Sequence, residues 1–182
     1  MQNFIESFDN SELLALTKED LKHERLDSAL AKLKIIYQRT EDVSEATSLL
    51  ARLYARLNLY DRSIELLEKY CEKFPKDRNE LFQLGLCQLE AGITEKAKQI
   101  FDTVLESDPF YPPALFYSAV CLVESNETDT AKEKLDKLIR NVNEQNLYFD
   151  RAKDLLAKIN RTNSNLSDNS DTINTKNINY YS

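Results

Sequence analysis

The chain has 182 residues, of which 42% are hydrophobic and 30% charged, and it carries a formal net charge of -7. An acidic balance without a basic block sets nucleic acid aside, since that affinity rests on Lys and Arg neutralising phosphates, and it disfavours an anionic membrane surface. Two glycines and four prolines are too few for the tight turns of a strand-rich fold, but they suffice for helices joined by short polar turns.

From the N-terminus, Met1 to Asn10 has acidic residues but neither a basic leader nor a long apolar core. Residues 1–9 are therefore read as a short extension, not a secretory signal. No apolar run approaches the length of a membrane span, so no membrane insertion and a cytoplasmic location are expected. Apolar residues at three- and four-residue spacing predict helices at 11–23, 26–40, 44–57, 61–73, 78–91, 94–107, 113–125, 129–141 and 144–160. Ser44, Asp77, Thr94 and Thr128 are the expected N-caps, where a side-chain oxygen satisfies free helical N–H groups, and Pro113 suits a first turn. Past Arg161 the chain becomes rich in Asn, Ser, Thr and Asp. Residues 161–182 are expected to be disordered, because so polar a segment buries too little apolar surface to offset its ordering entropy.

A period of 34 residues aligns these elements without gaps. One column reads Thr17, Ala51, Gly85, Ala119 and another Ala29, Ser63, Ala97, Ala131; both hold only small side chains. A third, Leu33, Leu67, Phe101, Leu135, is large and apolar, and a fourth reads Ile36, Tyr70, Val104, Leu138. Pro75 and Pro109 each close a repeat. Small residues on both helices of a pair permit close approach, and the large column fills the space between one pair and the next. The last helix falls in register as the first half of a fifth repeat, with Phe149 in the column of Leu13, Leu81 and Leu115. Lys153, Lys158 and Asn160 give it a polar outer face, as a cap on a helical array requires.

This pattern resembles the tetratricopeptide repeat family. Repeat 78–111 carries Leu81, Leu84, Gly85, Gly92, Ala97, Phe101, Asp108 and Pro109 where the family's motif places those types. Repeats 112–145 and 44–77 keep most of the pattern; repeat 10–43 keeps Ala29 and Leu33 but departs at Thr17 and Glu41. The resemblance implies an all-α, right-handed solenoid of antiparallel helix pairs over 10–160, with a capping helix at 146–160. It also implies protein–protein binding in a groove lined by the first helix of each pair. The groove columns supply Phe82, Leu86, Leu89, Phe116, Val120 and Val123 as an apolar floor, Lys18, Arg52 and Arg56 as cations, and Glu90 and Glu124 as rim carboxylates. Such a floor suits a peptide or amphipathic helix. The competing reading has Phe82 and Phe116 packing between neighbouring first helices, with the charges as solvated faces. Slots that hold Lys or Asn in members binding a heat-shock chaperone's carboxyl terminus carry Leu14, Phe82, Leu86 and Tyr117, so no such clamp is expected. Leu84 to Gln88, and Pro113 through Leu122, also look like the small acidic chaperones of bacterial type III secretion, which hold an apolar translocator segment.

Little points to chemistry. His23 is the one histidine and reads as a surface residue. Cys71, Cys87 and Cys121 show no metal spacing and read as buried thiols. Asn126 heads a glycosylation triplet that is expected to be accidental, since no secretory leader is read at Met1 to Asn10. The sequence thus supports a non-enzymatic protein-binding adaptor, scaffold or chaperone without cofactor or metal. A structural assembly subunit is the alternative, and a homodimer stays open.

Overall fold

The computed structural model describes residues 5–39 and 45–165. Among these, all regular structure is helical: α1 (Asn10–Lys22), α2 (Leu26–Arg39), α3 (Glu45–Arg56), α4 (Tyr60–Lys73), α5 (Arg78–Glu90), α6 (Thr94–Ser107), α7 (Pro112–Glu124), α8 (Thr128–Asn141) and α9 (Leu147–Asn165). The chain divides into two compact units, Met1–Ala91 and Gly92–Ser182. In the first, α1 packs on α2, α2 on α3, α3 on α4 and α4 on α5. In the second, α6 packs on α7, α7 on α8, and α9 on both α7 and α8. The architecture is an all-α solenoid of helix pairs, as the period predicts.

The small columns lie where paired helices meet. Thr17, Ala29, Ala51, Ser63, Ala97, Ala119 and Ala131 are all fully buried. Ser63 shows how close the approach is, since its hydroxyl donates to the Ala51 carbonyl at 2.8 Å, placing an α4 side chain directly on the α3 backbone. Leu33, Leu67, Phe101 and Leu135 are likewise fully buried. Tyr70 departs from its column by staying half-buried. Its phenol needs a polar partner, and it donates to Asp77 Oδ2 at 3.0 Å.

Each first helix ends on a left-handed residue: Glu24 (φ 57°), Asn58 (57°), Gly92 (77°) and Asn126 (62°), spaced by the repeat period. The amide that follows reaches back around the turn, Arg25 to Asp20 O at 2.8 Å, Leu59 to Tyr54 O at 2.9 Å and Glu127 to Leu122 O at 2.8 Å. These bonds satisfy carbonyls left open at a helix C-terminus. The turn is so tight that one residue separates it from the next helix. For this reason Thr94 and Thr128 are not N-caps: Ile93 and Glu127 hold those positions without side-chain capping bonds. Asp77 caps α5 as expected, accepting from Asn79 and Glu80 amides, and Pro112 and Pro113 open α7. The sequence reading missed the Asp9–Glu12 capping box, in which each side chain accepts from the other's amide at 2.8 and 2.9 Å. Ser44 lies outside the described residues.

Helix α9 begins at Leu147, not 144, because Asn143 and Asn146 accept the Gln145 and Tyr148 amides in local turns. It buries Ala152, Leu155 and Ile159 and leaves Lys153, Lys158 and Asn160 exposed. It runs to Asn165, so the first residues of the expected tail belong to it. Residues 166–182 lie outside the described residues.

One buried carboxylate ties the first pair together. Asp20 is 5% exposed, with Lys32 Nζ at 2.5 Å and Arg25 Nε at 2.8 Å. Burial opposes its ionisation, but hydrogen bonds from Lys32, Ser28 and Arg25 prevail and lower its pKa to about 2. The second unit has a counterpart in Asp102 of α6, which accepts from Ser118 of α7 at 3.0 Å and Lys134 of α8 at 2.9 Å. Because the folded pKa of Asp20 lies below the unfolded value of about 3.9, its stabilisation is complete above that value and lost as pH falls through about 2. Asp20→Ala also strands a nearly buried ammonium and is expected to cost about 3 kcal/mol. Urea unfolding at neutral pH measures that cost. Repeating it between about pH 5 and pH 2 should show a shallower acid dependence than the parent chain.

Candidate functional site

The sequence places the candidate site on the first helices, α1, α3, α5 and α7. In the first unit Lys18, Arg52 and Arg56 each have a carboxylate partner from another pair. Lys18 on α1 lies 2.7 Å from Glu45 Oε1 at the start of α3. Arg52 on α3 holds Glu80 on α5 through both Nε, at 3.4 Å, and Nη2. Arg56 lies 3.0 Å from Glu24 in the turn after α1. These are clamps between successive pairs. Arg52 stays 46% exposed, whereas its partner Glu80 is 5% exposed, so the carboxylate depends on this guanidinium more than the reverse.

The rim carboxylates follow the same repeat. Glu90 accepts a long hydrogen bond, 3.5 Å, from the Tyr60 hydroxyl. Glu124 accepts from the Thr94 hydroxyl at 2.8 Å. In both, the donor opens the second helix of one repeat and the acceptor ends the first helix of the next.

The apolar candidates divide sharply. Phe82 (7% exposed), Leu89 (8%), Phe116 (3%), Val120 (0%) and Val123 (2%) are buried. Leu86 alone among the six is only half-buried. In the second unit Phe116 stacks edge-on with Tyr117 at 5.3 Å and tilts against Tyr148 of α9 at 5.7 Å between ring centroids. For Phe116 the packing between neighbouring first helices is thus direct. Every residue of α7 from Ala114 to Val123 is buried, as expected of a helix apolar all round. Half-buried apolar side chains in the groove columns of the first unit are Leu14 and Leu21 on α1, Ala55 on α3 and Leu86 on α5.

The thiols are not poised for chemistry. Burial, reinforced by nearby carboxylates, pushes Cys71 and Cys121 up to about 12. Burial also raises Cys87, whose sulfur lies 3.3 Å from the Ser63 hydroxyl. They stay protonated near neutrality and lack the thiolate a nucleophile needs. His23 is exposed and pairs with Glu19 at 2.7 Å. Among the described residues no group of three or more His, Cys, Asp or Glu side chains is placed to hold a metal ion, and no helix is long and apolar enough to cross a membrane.

What the sequence did not disclose is the partner of each cation. Glu45 and Glu80 stand 27 and 28 residues after Lys18 and Arg52, in the first turn of the next first helix. An acidic first turn is ordinary helix chemistry, and the two glutamates are not in the 34-residue register, Glu45 aligning with Asn79, so neither pattern singles them out. The asymmetry between the clamps has a measurable consequence. Arg52→Ala leaves a buried carboxylate unpaired and should cost more than about 1 kcal/mol, whereas Lys18→Ala, in an exposed pair, should cost less than about 0.5 kcal/mol. Parallel urea titrations of the two variants compare them.

Family models described as tetratricopeptide repeat match residues 14–78, 81–110 and 113–142. No curated protein sequence matches the chain significantly. Among solved structures, a tetratricopeptide repeat protein from Parabacteroides merdae is similar, with a TM-score of 0.74 at 19% identity over 85% of this chain, which spans 61% of that protein's length. YrrB, a protein of this repeat class with an unusual peptide-binding site, gives 0.72 at 19% identity, over 80% of this chain and 74% of that one. SycD, the type III secretion translocator chaperone of Yersinia enterocolitica, gives 0.61 at 21% identity, over 68% of this chain and 96% of that one. At these identities the likeness is one of fold.

Proposed function

The chain belongs to the tetratricopeptide repeat family, and we propose that it is a protein-binding adaptor, scaffold or chaperone that receives a partner's peptide or amphipathic helix along its first helices. Proteins of this family act as protein–protein interaction scaffolds. The observation that carries the reading is the half-buried apolar row of the first unit, Leu14, Leu21, Ala55 and Leu86, set beside the Lys18 and Arg52 clamps. An amphipathic helix presents apolar anchors at three- and four-residue spacing, and such a row offers them contact. Leu86, the half-buried member of the six apolar candidates, is the anchor point of this reading. In the same unit the buried side chains Phe82 and Leu89 pack as core, and Arg56 and Glu90 are the rim residues of this reading.

A photo-crosslinking amino acid at position 86, compared with one at exposed Glu68 on α4, tests this in the source cell. The expected outcome is one defined partner crosslinked from position 86 and not from position 68. Equal crosslinking from both, or crosslinking from position 68 alone, contradicts it. A crosslink to a second copy of the chain would identify an assembly subunit instead. A crosslink to an apolar translocator segment would give the chain the role that SycD has in Yersinia.

A further inference from the structure

A second recessed surface lies in the first unit, away from the first-helix row. It is a cleft of about 490 Å³ lined by α2, α3 and α4, within the range of sites that seat a small ligand or a few peptide side chains. Its floor includes Leu50 and Leu66, 2% and 5% exposed, and its flanks carry the Tyr37 and Tyr54 rings. The cleft thus combines an apolar floor with aromatic walls, a composition that accepts one apolar side chain.

Its charge is the more specific feature. Lys34 on α2 and Arg62 on α4 both line the cleft, and both are exposed. Neither has a carboxylate partner among the described residues. Arg62 instead lies over the Tyr54 ring, 5.7 Å from its centroid. The carboxylate that lines the cleft, Glu65, is engaged by Lys69 at 2.8 Å. In a chain of net charge -7, whose first-helix cations Lys18, Arg52 and Arg56 are all clamped, two uncommitted cations flanking one apolar pocket are distinctive.

We propose that this cleft is a docking site for an acidic partner segment with a single aromatic or branched apolar anchor. The anchor seats on Leu50 and Leu66 between the two tyrosines. Flanking carboxylates pair with Lys34 and Arg62, and the planar guanidinium, held over Tyr54, offers two parallel N–H donors to a carboxylate. The site is independent of the first-helix row, so the failure of either reading leaves the other standing.

The probe is a synthetic peptide, acetyl-Asp-Glu-Phe-Glu-Asp-amide, titrated into the full chain and followed by NMR. The comparator carries Asn and Gln in place of Asp and Glu. The acidic peptide is expected to produce saturable shifts of the Tyr37 and Tyr54 ring signals, and to bind more weakly as salt is raised. Lys34→Glu/Arg62→Glu is expected to weaken it at least about tenfold. Both positions are exposed, so the variant should melt like the parent, and the shifts in the parent chain locate the site without it. Equal binding of the neutral peptide would overturn the proposal. So would shifts centred on Leu86, or no saturable shift.

Discussion

The structure depends on how closely the two helices of each pair approach. Where Ser63 on α4 donates to the Ala51 carbonyl on α3 at 2.8 Å, no side chain larger than a hydroxymethyl separates helix from backbone. The other pair-facing positions, Thr17 and Ala29 or Ala119 and Ala131, are equally small and fully buried. Close packing at such points leaves no room for an added methylene without displaced rotamers or backbone shifts. The left-handed residue that ends each first helix belongs to the same constraint, because two helices this close need a connection of very few residues. Residues with φ near +60° supply that reversal at Glu24, Asn58 and Asn126, and Gly92 does so without a Cβ.

With pairs so closely set, the larger side chains must fill the space between successive pairs, and the first-helix face inherits what remains. Most of its apolar residues are consumed in that packing. Three of its cations are engaged too, since Lys18, Arg52 and Arg56 each hold a carboxylate of a neighbouring pair. What stays accessible on this face of the first unit is therefore narrow: the half-buried apolar side chains Leu14, Leu21, Ala55 and Leu86, with the Lys18 and Arg52 clamps on the same helices. A row of this kind gives contact area to a helix of matching spacing, while the clamps keep the supporting pairs in register.

Much of the fold was legible because its physics is local and periodic. A small side chain every 34 residues, in two columns at once, has few explanations other than paired helices. The predicted helix limits agree with the structure to within a few residues at both ends of most elements. Two kinds of feature were not legible. Glu24 in a left-handed turn carries no compositional mark, since Glu is as ordinary in a helix as in a turn; only its register with Gly92 discloses it. The fate of the groove candidates was also hidden, because a column of Phe and Val at helical spacing describes an open floor and a buried core equally well. Tyr148 meeting Phe116 decides the matter at that position, and it comes from a helix 32 residues away. The paired cleft cations, Lys34 and Arg62, come from two different second helices and carry no sequence motif.

Phe82, Leu89, Phe116, Val120 and Val123 are core, and Leu86 is the accessible member of the groove candidates. Thermal unfolding of Phe116→Glu beside Leu86→Glu tests this division. Phe116→Glu, which forces a carboxylate into a site 3% exposed, is expected to lower the midpoint by about 10 °C or more, while Leu86→Glu stays within about 3 °C of the parent. If Phe116→Glu melted like the parent chain, Phe116 would be open surface and not part of the core.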